Sequence, residues 1–278
     1  MDNRFGCCVV LFNPDESTYH NVSEYSCYFE YVVAVDNSIE KNKNSELIKK
    51  IPNVIYLDME GNSGIAKALN KGFEVLIDKG CKYVLTMDQD SKFPVAHMEK
   101  IQDQVLHYIK EYAIVGLNFN YDSNNNSNEI VEIDYWLTSG NFVDVEAFKK
   151  VNGFNSNLFI DYVDIEFNYK LHKLGMKICY LKNYSLKHKI GNPIKIIIFG
   201  KCYYAMNHNP IRYYYRYRNS RYLFAKDRKV FFKLYLKEIV VNIPKMLLYE
   251  DRKKEKLRMI KRGISDAKHN KLGEYVDS

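Results

Sequence analysis

The nine residues Tyr83-Val84-Leu85-Thr86-Met87-Asp88-Gln89-Asp90-Ser91 decide how this chain is read. Tyr83 to Met87 is an apolar run of strand length, and it empties into a turn carrying two carboxylates. Asp88 and Asp90 in such a turn can face the same way and share a hard divalent cation with the oxygens of a bound diphosphate, although a strand-ending Asx turn has the same signature. Outward from this stretch, the apolar runs Phe5 to Phe12, Tyr28 to Val35, Val54 to Leu57 and Ile114 to Leu117 are also expected to be short buried strands, each closed by Asn or Asp. Ile65, Ala68, Leu69, Phe73 and Leu76 form an i, i+3, i+4 stripe that predicts a helix over 65–78, and a second helix is expected from about Val95 to Tyr112. Strands alternating with helices predict an α/β fold with a largely parallel sheet. Such sheets bind ligands beyond the carboxyl ends of their strands. The polar residues there are Asn13, Asp36-Asn37, Asp58 and Asp88-Gln89-Asp90.

The 278 residues are 46% hydrophobic and 27% charged, with 13 Gly and 6 Pro, which excludes collagen-like, low-complexity and wholly disordered chains. Six cysteines, at 7, 8, 27, 81, 179 and 202, form no C-x-x-C pair and no zinc-module spacing, so reduced thiols are expected. The first residues lack the basic region and small-residue cleavage site of a secretory signal. No stretch reaches the ~20 apolar residues of a membrane span; Val230 to Tyr249 comes nearest and is broken by Lys233, Lys237, Glu238 and Lys245. A cytoplasmic protein is expected. Net charge is +7, but residues 183–278 carry 23 basic and 8 acidic groups, net +15, while residues 1–182 are net −8. An acidic body suits carboxylates around a metal or reaction centre; a basic, Tyr-rich tail suits phosphates, in a ligand or at a membrane surface.

Further residues could carry chemistry. Asn62-Ser63-Gly64-Ile65-Ala66-Lys67-Ala68-Leu69-Asn70-Lys71-Gly72 starts a helix with free backbone N–H groups for a ligand, or is a plain helix cap followed by small residues packed on a sheet. No G-x-x-x-x-G-K-[ST] and no G-x-G-x-x-G occur, which makes phosphate-loop NTPases and standard dinucleotide folds poor candidates. Asp161 and Asp164 are spaced i, i+3 at the expected entrance of a helix running to Leu174, where a carboxylate could deprotonate an acceptor hydroxyl or simply favour the helix dipole. Trp136-Leu137-Thr138-Ser139-Gly140-Asn141 reads as a floor for a sugar or a substrate backbone. His188 ends a strand-like run, as a structural residue or a ligand. Tyr121 to Glu129 reads as a loop, and beyond about Gly191 the pattern is helical, cationic and aromatic.

Taken in order, Phe12-Asn13-Pro14, Val35-Asp36-Asn37-Ser38, Asn62-x-Gly-Ile-Ala-x-Ala-x-Asn-x-Gly72, Thr86-Met-Asp-Gln-Asp-Ser91, Thr138-Ser-Gly-Asn141, Gly153-Phe-Asn155, Leu158-Phe-Ile-Asp-Tyr-Val-Asp-Ile-Glu166 and His188-x-x-Gly191 resemble the family 2 inverting glycosyltransferases, nearest the bacterial rhamnosyltransferase branch. The resemblance spans about residues 5–222. It implies a GT-A domain over 1–200, with a Rossmann-like, mixed but mainly parallel sheet flanked by helices, a nucleotide-sugar-binding half at 1–112 and an acceptor and catalytic half at 113–200, followed by a helical, basic, Tyr-rich C-terminal extension at 201–278. It also implies transfer of a sugar with inversion from a nucleotide diphospho-sugar, dTDP-β-L-rhamnose above others, to a saccharide acceptor in bacterial surface polysaccharide synthesis. A UDP-hexose donor is the alternative within the fold.

By the same resemblance, Phe12, Asn13 and Asp36 line the nucleobase site, Asp36 accepting from the pyrimidine N3–H. Asn62, Gly64, Ala66 and Asn70 support the donor near its diphosphate. Asp88 sits by the ribose or donor sugar, and Asp90 with His188 holds Mg2+ or Mn2+. Asp164 takes the base position; the acidic neighbour usual in the family is Val163 here, and Asp161 is the candidate to replace it. Arg218-Asn-Ser-Arg221-Tyr222 is similar to a Q/R-x-x-R-W motif of processive relatives in which Arg touches donor phosphate. The alternative for that stretch is a half-buried helix capping the core. Basic and apolar groups beyond it suit a peripheral position on the inner face of the cell membrane, near a lipid-linked acceptor. A different class of reading makes the tail an RNA- or phosphate-binding element of a non-catalytic protein.

Overall fold

The structure, a computed structural model, describes residues 5–119, 130–188, 194–198 and 201–277. The expected loop at Tyr121 to Glu129 and the residues Lys189 and Gly191 lie outside them. The chain divides into two compact units, one formed by 1–156 and 163–189 and the other by 157–162 and 190–278.

The first unit is built on an eight-stranded sheet. Its strands are β1 (Phe5–Leu11), β2 (Tyr31–Asp36), β3 (Val54–Asp58), β4 (Tyr83–Asp88), β6 (Tyr112–Asn118), β7 (Ile130–Ile133), β8 (Asn141–Asp144) and β9 (Lys177–Ser185), in the order β3-β2-β1-β4-β8-β6-β9-β7. The pairs around β1, β2, β3 and β4 are parallel, as is β6 with β9, while β8 runs antiparallel to both neighbours and β7 to β9. The short strands β5 (Ser91–Lys92) and β10 (Lys187–His188) pair separately. This is the mixed, mainly parallel α/β sheet that the sequence predicts.

Alternation along β1 sorts its side chains to two faces. Phe5, Cys7, Val9 and Leu11 join a core with Val22 and Tyr25 of α1 (Glu16–Ser26), Ile48 of α2 (Lys43–Ile48) and Met98, Ile101 and Val105 of α4 (Met98–Tyr108). The other face receives α3 (Ile65–Asp78), which spans the predicted residues. Gly72 of α3 is there because of Cys8: a Cβ at Gly72 would lie 2.3 Å from the Cys8 sulfur. On the same side Phe73 stacks on Phe148 of α5 (Val145–Lys150) at 4.1 Å, and Phe154 and Phe167 of α6 (Val163–Lys173) complete an aromatic cluster. The second predicted helix is shorter than expected, because Val95–His97 form a 3₁₀ turn and Tyr112 already opens β6.

The second unit does not begin as a helix. A hairpin of β11 (Ile194–Ile198) and β12 (Lys201–Ala205) precedes α7 (Pro210–Lys226), which corrects the expectation of helix from about Gly191 onward. The β-branched and aromatic run in Ile-Lys-Ile-Ile-Ile and Lys-Cys-Tyr-Tyr-Ala explains the strands. Then follow α8 (Arg228–Lys237), a π-helical turn at Glu238–Asn242, α9 (Ile243–Tyr249) and α10 (Lys253–Lys268). Gly263 lets α10 lie against α7, since a Cβ there would meet the Tyr214 carbonyl oxygen at 2.4 Å. No helix among the described residues is long and apolar enough to cross a membrane.

Candidate active site

The carboxyl ends of β1, β2 and β4 converge on the residues that the sequence singled out. After β1, the exposed Phe12 is fixed by its own backbone. Its N–H donates to Gln89 Oε1 at 2.7 Å, and Gln89 Nε2 donates to the Phe12 carbonyl at 3.0 Å. Asn13 follows in the left-handed region, φ 49°, with its N–H on Ser38 Oγ at 2.6 Å. Gln89, the middle residue of the two-carboxylate turn, thus ties that turn to the loop carrying the exposed ring. The pattern Asp-x-Asp leaves x unread, so sequence reasoning missed it.

Asp36 differs from its expected role. Its carboxylate has no exposed surface and accepts from the Ser38 N–H at 2.7 Å, Ser45 Oγ at 2.9 Å and Tyr56 OH at 2.6 Å. Burial works to raise its pKa, but the bonds from Ser38, Tyr56 and Ser45 outweigh it and hold the carboxyl below its ordinary value. With both oxygens engaged, Asp36 shapes the loop around Ser38, which in turn holds Asn13, and does not present an open acceptor to a base. Lys41, half-buried, bonds to Asp58 at 2.8 Å and is a neighbour that sequence reasoning also missed.

The start of α3 is held from β2. Asn37 Nδ2 donates to the Gly64 carbonyl at 3.3 Å, and Asn62 Oδ1 accepts from the Gly64 N–H at 3.1 Å. Ala66 is fully buried, and Asn70 clasps the backbone of Phe154, accepting from its N–H and donating to its carbonyl, both at 2.8 Å. Ala66 and Asn70 therefore hold the helix in place, as the packing alternative predicts, and Asn62 and Gly64 form its rim.

At β4, Asp88 is half-buried and Asp90 exposed. The Asp88 N–H donates to Ser139 Oγ at 3.0 Å, and that hydroxyl donates to Ser91 Oγ at 2.9 Å, joining the Thr138-Ser-Gly-Asn141 stretch to the carboxylate turn. The backbone of His188 pairs with Ser91 between β10 and β5, which brings residue 188 beside Asp90; its side chain lies outside the described residues. No cluster of three or more His, Cys, Asp or Glu side chains able to hold a metal occurs among the described residues.

Behind this turn, Asp164 lines a small cavity with Thr86, Trp136, Thr138, Asn141 and Asn168. Asn141 Oδ1 is buried there without a hydrogen-bond partner among the described residues. Trp136, stacked on Tyr180 at 4.4 Å, forms one wall. Asp161 corrects a second expectation. It precedes α6 at φ 62° and so does not share a helical face with Asp164; within the second unit its carboxylate accepts three contacts of 3.2–3.3 Å from Arg212.

Arg218 corrects a third. It is fully buried in the second unit and donates to the carbonyls of Gly273, Asn157 and Leu158, while Asn219 Nδ2 donates to those of Leu158, Ile160 and Asp161. Such a guanidinium has no face for a donor phosphate or for RNA; its bonds hold the second unit together. The five cysteines whose side chains are described are free thiols, and burial pushes Cys8 and Cys179 up to about 12.

The profile of Glycosyl transferase family 2 matches residues 16–159, more than half of the chain. The chain belongs to that family. Along 95% of its length it is 26% identical to the dTDP-rhamnosyl transferase RfbF of Shigella flexneri, of which it covers 94%. In fold it is similar to S. aureus TarS 1-349 in complex with UDP-GlcNAc, at a TM-score of 0.62 and 12% identity, over 95% of this chain and 80% of that one. GalNAc-T7 with UDP, GalNAc and Mn2+ gives the same TM-score at 13% identity, over 96% of this chain and 56% of that one. A further TarS chain is longer still, and this chain spans 38% of it. These likenesses confirm the GT-A fold. The family makes the chain a glycosyltransferase and removes the non-catalytic reading.

Proposed function

We propose that this glycosyltransferase moves L-rhamnose from dTDP-β-L-rhamnose, with inversion, onto a hydroxyl of a lipid-linked saccharide in bacterial surface polysaccharide synthesis. The observation that carries the donor is the likeness to a dTDP-rhamnosyl transferase over nearly the whole of both chains. Phe12, clasped by Gln89, offers its exposed ring to the nucleobase, with Asn13 beside it. Asn62 and Gly64 approach the diphosphate at the start of α3.

Asp88 and Asp90, in one turn, and His188, whose backbone pairs with Ser91, are the residues that would hold a hard divalent cation. Mg2+ or Mn2+ bound there would supply positive charge where the leaving diphosphate gains negative charge. Asp164 accepts the proton of the acceptor hydroxyl as that oxygen attacks the anomeric carbon and the bond to the diphosphate breaks. One in-line displacement inverts the centre. Asp161, paired with Arg212, orders the segment leading to α6.

A UDP-hexose donor is the second reading, favoured by the fold shared with TarS bound to UDP-GlcNAc. Both are tested by incubating the enzyme and Mn2+ with dTDP-β-L-rhamnose, UDP-glucose or UDP-GlcNAc and a membrane lipid extract, and quantifying the nucleoside diphosphate released. Release of dTDP that depends on the extract is expected. Release of UDP alone would transfer the assignment to a hexose.

A further inference from the structure

The outer side of α8 and of the helical turns after it is unusual for a helix that caps a core. Phe231 is 1% exposed and Glu238 is buried, bonded to Arg216 at 2.8 Å, so the inner side is spent on packing and an ion pair. Phe232, Leu236 and Val240, spaced i, i+4, i+8, are 52%, 44% and 59% exposed, and Val241 and Leu248 are exposed as well. Beside that row runs another at the same spacing, Lys229, Lys233 and Lys237, all exposed. Arg228 precedes both rows, Lys245 lies in α9, and Glu238, turned inward, is the only acidic residue from 228 to 249. Parallel rows of large apolar and of cationic side chains fit a surface that is apolar below and anionic above.

We propose that this face docks the enzyme on an anionic lipid leaflet, Phe232, Leu236 and Val240 entering the acyl boundary and Lys229, Lys233 and Lys237 meeting the headgroups. Charge selects this occupant over a second copy of the chain, because two such faces would oppose lysine to lysine. The inference rests on the proposed use of a lipid-linked acceptor and names the surface that would bring the enzyme to it.

Flotation of the full-length protein with vesicles of phosphatidylcholine alone, or of phosphatidylcholine and phosphatidylglycerol at 3:1, tests it. Binding to the mixed vesicles is expected, weakened by salt. Lys233→Gln should lower partition about fivefold, the equivalent of about 1 kcal/mol for one basic group near an anionic surface. Phe232→Ser with Leu236→Ser should lower it at least tenfold, while a cooperative thermal melt is kept because the buried Phe231 and the Glu238–Arg216 pair are untouched. Absence of binding to anionic vesicles, or variants that bind like wild type, would overturn the proposal. So would a wild-type dimer, by light scattering, that the double variant converts to monomer. Stabilisation by dTDP, measured on the same samples, reports the donor site separately: vesicle binding without it would remove the proposed substrate and leave the docking face, and the reverse result would do the opposite.

Discussion

The strand ends of the first unit and the helical interior of the second are both dense in charge, yet they use it oppositely. At the ends of β1 and β4, hydrogen bonds from Gln89 and Ser139 hold loops whose terminal groups, the Phe12 ring and the Asp90 carboxylate, stay exposed. In the second unit Lys256 is paired with Glu250 at 2.9 Å, both nearly fully buried, and Tyr213 and Asn207 complete the bonding. Arg216 with Glu238 and Tyr162, and Arg218 with its carbonyls, follow the same rule. A carboxylate supported at the surface stays exposed to solvent, whereas charge satisfied inside holds the fold. Substitutions should therefore move activity without stability in the first region, and stability in the second.

The largest effect is expected at Asp164. Asp164→Asn should cut sugar transfer by ~10²–10⁴, the usual contribution of a positioned general base, with nucleotide binding and melting temperature near wild type. Transfer assays beside a thermal melt check this, and full activity would move the base elsewhere. Next comes Glu250→Ala, which leaves the Lys256 ammonium buried and unpaired. Removing one partner of a buried pair costs about 3–5 kcal/mol, so a melting temperature lower by roughly 10 °C is expected in urea and heat unfolding. A change below about 1 kcal/mol would break the contrast between the two regions.

Gln89→Leu removes two hydrogen bonds to the Phe12 backbone and no buried charge. A rise in donor KM of about 3–10-fold with a smaller change in kcat is expected, at about 0.5–1.5 kcal/mol for the bonds lost. Steady-state kinetics decide it; an unaltered KM would detach Phe12 from donor binding. The smallest effect is a pH dependence. Burial, with Arg212 adding to it, pushes His208 down to about 4 from its ordinary 6.5. Between those values the unfolded chain binds the proton and the folded one does not, so stability is present above about 6.5 and falls as pH drops toward 4. Melts across that range should flatten in His208→Asn; an identical slope would remove His208 as the cause.

Much of this was legible in sequence where a pattern is local. The stripe from Ile65 to Leu76 marks α3, and the apolar run into Asp88 marks β4, because periodicity and strand-ending polar residues reflect short-range geometry. The β11–β12 hairpin was hidden behind the cationic, aromatic character of the tail as a whole, although its own residues favour strands. Asp36, Asp161 and Arg218 were chemically plausible ligand contacts. What decides their use is which donors and carbonyls arrive from residues tens of positions away, Tyr56 for Asp36, Arg212 for Asp161 and Gly273 for Arg218. No spacing rule in one sequence announces such partners.

The ends of β1, β2 and β4 are proposed to form a nucleotide diphospho-sugar site. Its most direct test is the melting temperature of wild type and Asp90→Ala with dTDP, UDP, GDP and CDP, each with and without Mn2+. A nucleotide at ~100 times its dissociation constant should add about 2.7 kcal/mol to the native state. The account predicts Mn2+-dependent stabilisation by dTDP that is weakened in Asp90→Ala; no shift with any nucleotide would contradict it.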